Sequence, residues 1–101
     1  MKKTIIILAS ILITSLTNPI LAAGDAEAGQ AKSATCMGCH GLAGNSTIPN
    51  FPKLAGQGKA YIVKQLQYFK SGERGNAMMA GVALSLSDQD MEDVAAYYSI
   101  Q

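Results

Sequence analysis

The hydrophobic positions of this chain follow the period of an α-helix most clearly at its carboxyl end. Ser87 is a favourable N-cap residue, and the acidic Asp88 and Asp90 suit the positive end of a helix dipole. We therefore predict a helix that begins after Ser87. Four residues repeat at i, i+3, i+4 and i+7 and form its apolar face: Met91, Val94, Ala95 and Tyr98.

Two further helices are predicted upstream. Asp25 can cap an alanine-rich helix that extends to about Thr35. A second helix covers residues 59–71 and stops at Gly72. Its apolar stripe consists of Ile62, Leu66 and Phe69.

Glycine and proline interrupt the chain between these helices. Residues 41–58 contain Gly41, Gly44, Pro49, Pro52, Gly56 and Gly58, and residues 72–86 contain Gly72, Gly75 and Gly81. We predict an irregular loop in each segment. No segment of useful length alternates between apolar and polar residues as a strand does, so the fold is predicted to be all-α.

The first 23 residues have the three parts of a secretory signal peptide: a basic start, an apolar run over residues 5–16, and small residues at 22–24. The run is shorter than the ~20 residues of a membrane-spanning helix, and Asn18-Pro19 interrupts it. We predict cleavage after Ala23, with Ala22 as the alternative, which leaves a domain at residues 24–101. An uncleaved membrane anchor shares the first half of this pattern and is the competing interpretation.

Removal of the predicted signal peptide changes the length and the formal charge of the chain. The whole chain has 101 residues, 49% of them hydrophobic, and a formal charge of +1. Without residues 1–23, 78 residues remain with a formal charge of −1. This length excludes Rossmann, TIM-barrel and kinase architectures, and the charge lacks the basic bias of nucleic-acid-binding proteins. So small a domain is expected to need a disulfide, a metal or a cofactor to stabilise its limited core.

Both cysteines and the only histidine lie in one pentapeptide, Cys36-Met37-Gly38-Cys39-His40. Cysteines three residues apart lie about one helical turn apart, so both thiols can meet the vinyl groups along one side of a porphyrin. The adjacent histidine can then reach the iron from the proximal face. The motif therefore predicts covalent attachment of one c-type haem in an exported protein.

Two other uses of these residues are less favoured. A redox disulfide between Cys36 and Cys39 suits an oxidising compartment, but the chain has no βαβ pattern for a thioredoxin-like scaffold. A structural zinc site needs four ligands, and there is no second pair of cysteine or histidine residues.

The haem iron of an electron carrier needs a sixth ligand, and thioether sulfur favours the ferrous state. Met78 and Met79 lie in a glycine-flanked segment well downstream of His40. Met37 is sterically excluded inside the attachment motif, and Met91 belongs to the apolar stripe of the last helix. Helical periodicity does not choose between the two adjacent methionines.

Several motifs over residues 24–101 together resemble a small class I cytochrome c. The chain is similar to a single-domain relative of one half of the periplasmic diheme cytochromes c of type c-four. The motifs that carry the resemblance are Gly24-Asp-Ala-Glu-Ala-Gly29, Cys36–His40, Gly44-Asn-Ser46, Pro49-Asn-Phe-Pro-Lys-Leu-Ala-Gly-Gln57, Tyr61 with Lys64-Gln-Leu66, Leu86-Ser-Asp-Gln-Asp90 and Ala95-Ala-Tyr97.

This resemblance implies a class I cytochrome c fold of about three to five helices wrapped around one covalently attached haem. It implies that the first and last helices cross, with Gly29 making room for Tyr97. It also implies that the carbonyl of Pro49 accepts a hydrogen bond from His40 Nδ1, an arrangement that would orient Nε2 toward the iron.

The resemblance also implies roles around the haem. In the family the distal ligand lies eight residues before the cap of the last helix, which here is Met79, with Met78 the alternative after a one-residue shift. Gln57, Tyr61 and Lys64 would contact the propionates, although surface residues beside a helix start would look the same. Three apolar residues would pack on the ring, or serve as plain core: Ile62, Leu66 and Phe69.

The expected function is one-electron transfer in the periplasm by a carrier that is not an enzyme, because His40 and a methionine close both axial positions. Its expected partners are redox proteins such as terminal oxidases, reductases or dehydrogenases, met by a monomer in transient complexes. No nucleic acid and no stable membrane insertion after signal removal are expected. One alternative is a haem subunit docked on a larger oxidoreductase such as a flavin-containing sulfide dehydrogenase. The other is a pentacoordinate gas-binding or peroxidatic protein.

Overall fold

The computed structural model describes residues 2–13 and 23–101, and every regular element in those two ranges is helical. Residues 2–13 are exposed and irregular. The elements are α1 (Ala26–Lys32), α2 (Ala34–His40), a 3-10 turn (Leu42–Gly44), α3 (Lys59–Ser71), α4 (Ala77–Leu84) and α5 (Asp88–Ser99). The predicted all-α fold is confirmed.

Part of the predicted signal peptide, including Asn18-Pro19 and the alternative cleavage residue Ala22, lies outside the described residues. Along the ranges that are described, no helix is long and apolar enough to cross a membrane.

Helices α3 and α5 form where the apolar periodicity predicts them. Helix α3 covers residues 59–71 and ends at Gly72, whose φ of 85° is left-handed. Its stripe is buried, and α5 buries its own predicted face. The Ser87 side chain accepts from the Asp90 N–H, while the Asp90 carboxylate accepts from the Ser87 N–H, a capping box that begins α5.

Helix α1 packs against α5, as the resemblance implied. A Cβ at Gly29 would overlap the carbonyl of Asp93 and would lie 2.9 Å from the Cβ of Tyr97. Gly24 meets the carbonyl of Glu92 in the same way. Because glycine has no Cβ, the two backbones can approach this closely.

A buried carboxylate joins the same two helices. The Asp93 side chain accepts from the Asp25 N–H at 2.9 Å and from the Lys32 ammonium at 2.6 Å. The Asp25 N–H and then Lys32 hold the pKa of Asp93 down to about 2. Lys32 also pairs with Asp90 at 2.7 Å, so α5 binds both ends of α1.

Two predicted boundaries are wrong. The first helix does not run to Thr35: it ends at Lys32, and after the buried Ser33 a separate helix α2 carries the cysteine motif. Residues 72–86 are not only loop, because Ala77–Leu84 forms α4. Helix α4 is a run of small and apolar residues with no amphipathic stripe, so its helical state depends on packing against α3, where Ala83 is fully buried.

Candidate functional site

Helix α2 presents three chemically reactive side chains to one face. Cys36, Cys39 and His40 lie at i, i+3 and i+4 of this helix, positions that neighbour one another on a helix surface. Both cysteines are half-buried free thiols, and His40 is buried. Gly41 ends the helix directly after His40 with a φ of 82°. The motif therefore forms one compact donor group.

A backbone carbonyl fixes the His40 ring. The Nδ1 atom lies 2.7 Å from the Pro52 carbonyl oxygen. Because a carbonyl can only accept, Nδ1–H donates, and Nε2 keeps its lone pair for a metal. The predicted partner, Pro49, is wrong. Pro49 is exposed in a turn closed by the Phe51 N–H and the Ile48 carbonyl, and the chain returns toward the imidazole only after that turn.

Helix α4 brings the two adjacent methionines to the site. Asn76 caps this helix, since its side-chain oxygen accepts from the Met79 N–H at 3.0 Å. Met79 is half-buried and packs against the hydrophobic core, whereas Met78 is 58% exposed. The two side chains therefore differ in how firmly their surroundings hold them.

These groups line one cleft with a volume of about 380 Å³, within the range of ~300–1,000 Å³ typical of ligand and cofactor sites. Its donor atoms come from Cys36, Cys39, His40, Met78 and Met79. Most of the other lining side chains are apolar or aromatic: Phe51, Pro52, Leu54, Tyr61, Ile62, Leu66, Phe69, Val82, Leu86, Val94 and Tyr98. A few polar groups complete it: Thr35, Asn50, Lys53, Gln57, Gln65, Arg74 and Asn76.

The cleft contains most of the residues predicted around a cofactor. Gln57, Tyr61, Ile62 and Leu66 all line it. Lys64 does not: its ammonium lies 5.6 Å from the centre of the Tyr68 ring, in a separate groove that Lys59 and Glu92 also line. The suggested propionate contact of Lys64 is therefore not supported by its position.

The loop beside the cleft is held against α5. Gly44 accepts hydrogen bonds from the N–H groups of Leu54 and Ala55, and Gly56 donates to the Tyr98 carbonyl at 2.9 Å. Gly44 has a φ of 77°, and a Cβ there would lie 2.8 Å from both Ala55 N and the Tyr98 ring. Only glycine suits this position, which keeps the segment carrying Pro52 close to His40.

Desolvation dominates the electrostatics of the thiol side of the cleft. Burial raises the pKa of the Cys36 thiol, and hydrogen bonds with Thr35 and Tyr98 oppose that shift. Burial likewise raises the pKa of Tyr98, which is 1% exposed beneath the cysteine. Both groups are therefore protonated at neutral pH.

The family model described as cytochrome c matches residues 26–99. That range includes the whole cleft and all the helices in the described part of the chain. The chain belongs to the cytochrome c family. Cytochrome c4 of Pseudomonas aeruginosa is 54% identical over 96 residues, which cover 94% of this chain and 48% of that protein. Cytochrome c-554(548) of Halomonas halodenitrificans is 45% identical and covers 78% of this chain and 99% of its own length.

A solved structure shows the same likeness in three dimensions. Reduced recombinant cytochrome c4 from Pseudomonas stutzeri superimposes with a TM-score of 0.74 at 56% identity, over 78% of this chain and 46% of that one. The chain thus spans about half the length of the cytochromes c4 that it matches. It corresponds to one cytochrome c domain of such a protein.

One cytochrome c domain carries one covalently bound haem c, and the cleft fits that group. It has two thiols at the attachment spacing, an imidazole whose Nε2 is free, thioether sulfurs from a different helix, and apolar walls. Among the described residues, no three histidine, cysteine or acidic side chains converge on one point as an alternative metal site would require.

The residues of the site that the sequence did not predict include Pro52, Arg74, Asn76 and Tyr98. Asn76 could have been found, because asparagine before an apolar run is an N-cap signal. Arg74 gives no local signal. Its guanidinium lies 4.5 Å from the Phe69 ring centre and donates to Gln65 at 2.8 Å, contacts that depend on the end of α3.

Proposed function

We propose that residues 24–101 form a periplasmic monohaem electron carrier in which His40 and Met79 are the axial ligands of haem c. The observation that carries this proposal is the donor set of one cleft, with two thiols and an imidazole from α2 and thioethers from α4. Bound haem c supplies an iron that takes up and releases one electron. Cys36 and Cys39 would hold the group through thioether bonds.

The chain's own residues prepare the axial positions. The hydrogen bond from His40 Nδ1–H to the Pro52 carbonyl fixes the tautomer and directs Nε2 into the cleft. Met79 offers a soft sulfur that favours ferrous iron and so raises the midpoint potential. It is preferred to Met78 because its side chain is half-buried against the core, while Met78 is 58% exposed. With His40 and Met79 both bound to it, the iron would have no position left for a substrate, as expected of a carrier.

The polar and the apolar residues that line the cleft have different roles. Gln57, just before α3, and Tyr61, in its first turn, would donate to the propionates, while Ile62 and Leu66 would exclude water from the ring. Excluding water keeps the surroundings of the iron nearly unchanged on oxidation and reduction. An electron carrier needs such rigidity, because each reorganisation of solvent would slow the transfer.

Secretion is proposed from the amino-terminal pattern, with cleavage after Ala23. Residues 2–13 are exposed and irregular, whereas Gly24 already lies against the carbonyl of Glu92 in α5. The Asp25 N–H is bonded to Asp93 as well. Gly24, the residue that cleavage would expose, thus already packs against the domain, which supports residues 24–101 as the mature unit.

Charge at the cleft favours redox partners with an acidic docking surface. Lys53 and Arg74 line the cleft. Two acidic residues of α5, Asp90 and Asp93, are by contrast already paired with Lys32 of α1. We expect positive charge to dominate beside the haem, so electron transfer with an anionic partner should slow as salt rises.

The test is the spectrum of the reduced, purified protein with and without carbon monoxide. A six-coordinate carrier keeps its spectrum, and its oxidised form shows the weak red charge-transfer band of sulfur-ligated haem. A rapid shift with carbon monoxide would contradict the proposal and indicate a gas-binding or peroxidatic protein. Size-exclusion of the native extract is the companion measurement: elution inside a larger complex would indicate a permanent enzyme subunit.

A further inference from the structure

The amino-terminal turn of α4 is poorly supported by its surroundings. Residues 71–78 are all exposed, and Gly75 leaves the approach to the helix without a side chain. Helix α4 packs against α3, but its buried residue, Ala83, lies toward the other end. Burial alone therefore does not stabilise the turn that carries both methionines.

One side-chain hydrogen bond ties this turn to the chain before it. The Asn76 side chain accepts from the Met79 N–H at 3.0 Å, and Asn76 itself has an extended backbone with φ of −162° and ψ of 110°. This is the geometry of an N-cap bonded to N3. The residue whose backbone is fixed is thus the one whose sulfur we assign to the iron.

We propose that Asn76 is a positioning residue for the distal ligand: its cap holds the backbone of Met79 so that the thioether stays directed into the cleft. This inference rests on the proposed function, since it needs Met79 as the ligand. Without the cap, the first turn of α4 would fray while Ala83 still anchors the far end. The opening would then be local, exposing the iron without unfolding the domain.

A matched control exists on α5. The Ser87 side chain accepts from the Asp90 N–H at 3.0 Å, so it is also an N-cap bonded to N3. Ser87 does not line the cleft and its helix bears no iron ligand. Loss of either cap should lower overall stability, but only the cap on α4 should change how often the iron becomes accessible.

The experiment measures the rate at which imidazole binds the ferric holoprotein, together with the intensity of the sulfur charge-transfer band. We expect Asn76→Ala to bind imidazole about fivefold faster, the factor that corresponds to a typical cap. Asn76→Ser keeps an acceptor and should restore the original rate. Ser87→Ala should melt earlier but bind imidazole at the rate of the unsubstituted protein. If Asn76→Ala does not fold, Asn76→Gly removes the acceptor at smaller cost to the helix.

The outcomes separate the two proposals. An unchanged imidazole rate in Asn76→Ala or Asn76→Gly, or an equal rise in Ser87→Ala, overturns the role of Asn76 and leaves the carrier function intact. Absence of the charge-transfer band from the unsubstituted protein overturns the ligand assignment itself. In that case the role of Asn76 falls with it.

Discussion

Helices α2 and α4 both place donor atoms in the same cleft, but different interactions determine the positions of those donors. In α2 a spacing of three and four residues places Cys36, Cys39 and His40 on one face, whatever the rest of the fold does. Helix α4 has no such internal pattern, and it exists through the Asn76 cap and its contact with α3. The positions of the thiols and the imidazole are thus encoded locally, while those of the methionine sulfurs depend on tertiary structure.

This difference suggests where the molecule opens first. On the α2 side Ser33 and Tyr98 are buried, and Tyr98 of α5 is hydrogen-bonded to Ser33 and Cys36. The α4 side begins in exposed chain at residues 71–78. We expect thermal and chemical perturbation to release the methionine side before the cysteine side, because its local unfolding costs less free energy.

Removing the covalent anchors should have the largest effect. In Cys36→Ala with Cys39→Ala, the cofactor is no longer fixed, and the apolar walls of a 380 Å³ cleft would face water. At ~25 cal/mol per Å² of apolar surface, this loss leaves too little burial to offset chain entropy in so small a domain. We expect an unfolded or degraded protein by far-UV circular dichroism. Met37→Ala, in the same motif but 40% exposed, is the control. A soluble apoprotein with the native spectrum would contradict the expectation.

Separate substitutions of the two methionines test which sulfur of α4 binds the iron. Met79→Ala should lose the red charge-transfer band and lower the midpoint potential while the protein stays folded, because thioethers and His40 still hold the cofactor. Met78→Ala should keep both properties, since Met78 is largely exposed. The reverse result would assign the ligand to Met78. Retention of the band in both variants would mean that the sulfurs substitute for one another.

Acid should loosen the α1–α5 contact that supports α2. The folded pKa of Asp93 is about 2, below its unfolded value of 3.8. Its stabilising contribution is therefore complete above about pH 4 and is lost as the pH falls toward 2. Asp93→Asn should reduce the free energy of unfolding at neutral pH by about 1–2 kcal/mol, because it loses the charge that Lys32 contacts. It should also lose less stability than the unsubstituted protein as the pH falls from about 4 toward 2. Denaturant titrations from pH 2 to 7 test this, with Asp88→Asn on the same helix as control. If Asp93→Asn loses as much stability at acid pH as the unsubstituted protein, other carboxylates govern that loss.

A small stabilisation of α4 should have the opposite effect and make the iron less accessible. A Cβ at Gly81, inside α4, would meet nothing within 4 Å, and its φ is not left-handed. Gly81→Ala should therefore stabilise α4 by about 0.5–1 kcal/mol and slow imidazole binding a few-fold. Gly72→Ala is the opposing control, because φ is 85° there. If Gly81→Ala leaves the imidazole rate unchanged, the helicity of α4 does not control access to the iron.

Some helices could be predicted from the sequence and others could not. Helix α3, its stop at Gly72 and the buried face of α5 were predictable, because they follow from helical periodicity and capping within a few residues. The break at Ser33 was not, since residues on both sides suit a helix and the kink is stabilised by burial. Helix α4 was missed for a related reason: a uniformly apolar segment has no period to detect.

Local sequence is enough to place two thiols and an imidazole on one helix face and to make the described elements helical, because bonds within a single turn set those relations. Long-range packing selects Pro52 over Pro49 as the partner of His40, and it buries half of Met79 while Met78 stays exposed. The turn at residues 48–51 and the contact between α4 and α3 bring together groups that are distant along the chain. Their meeting depends on the packing of the whole domain, which no short pattern of residues encodes.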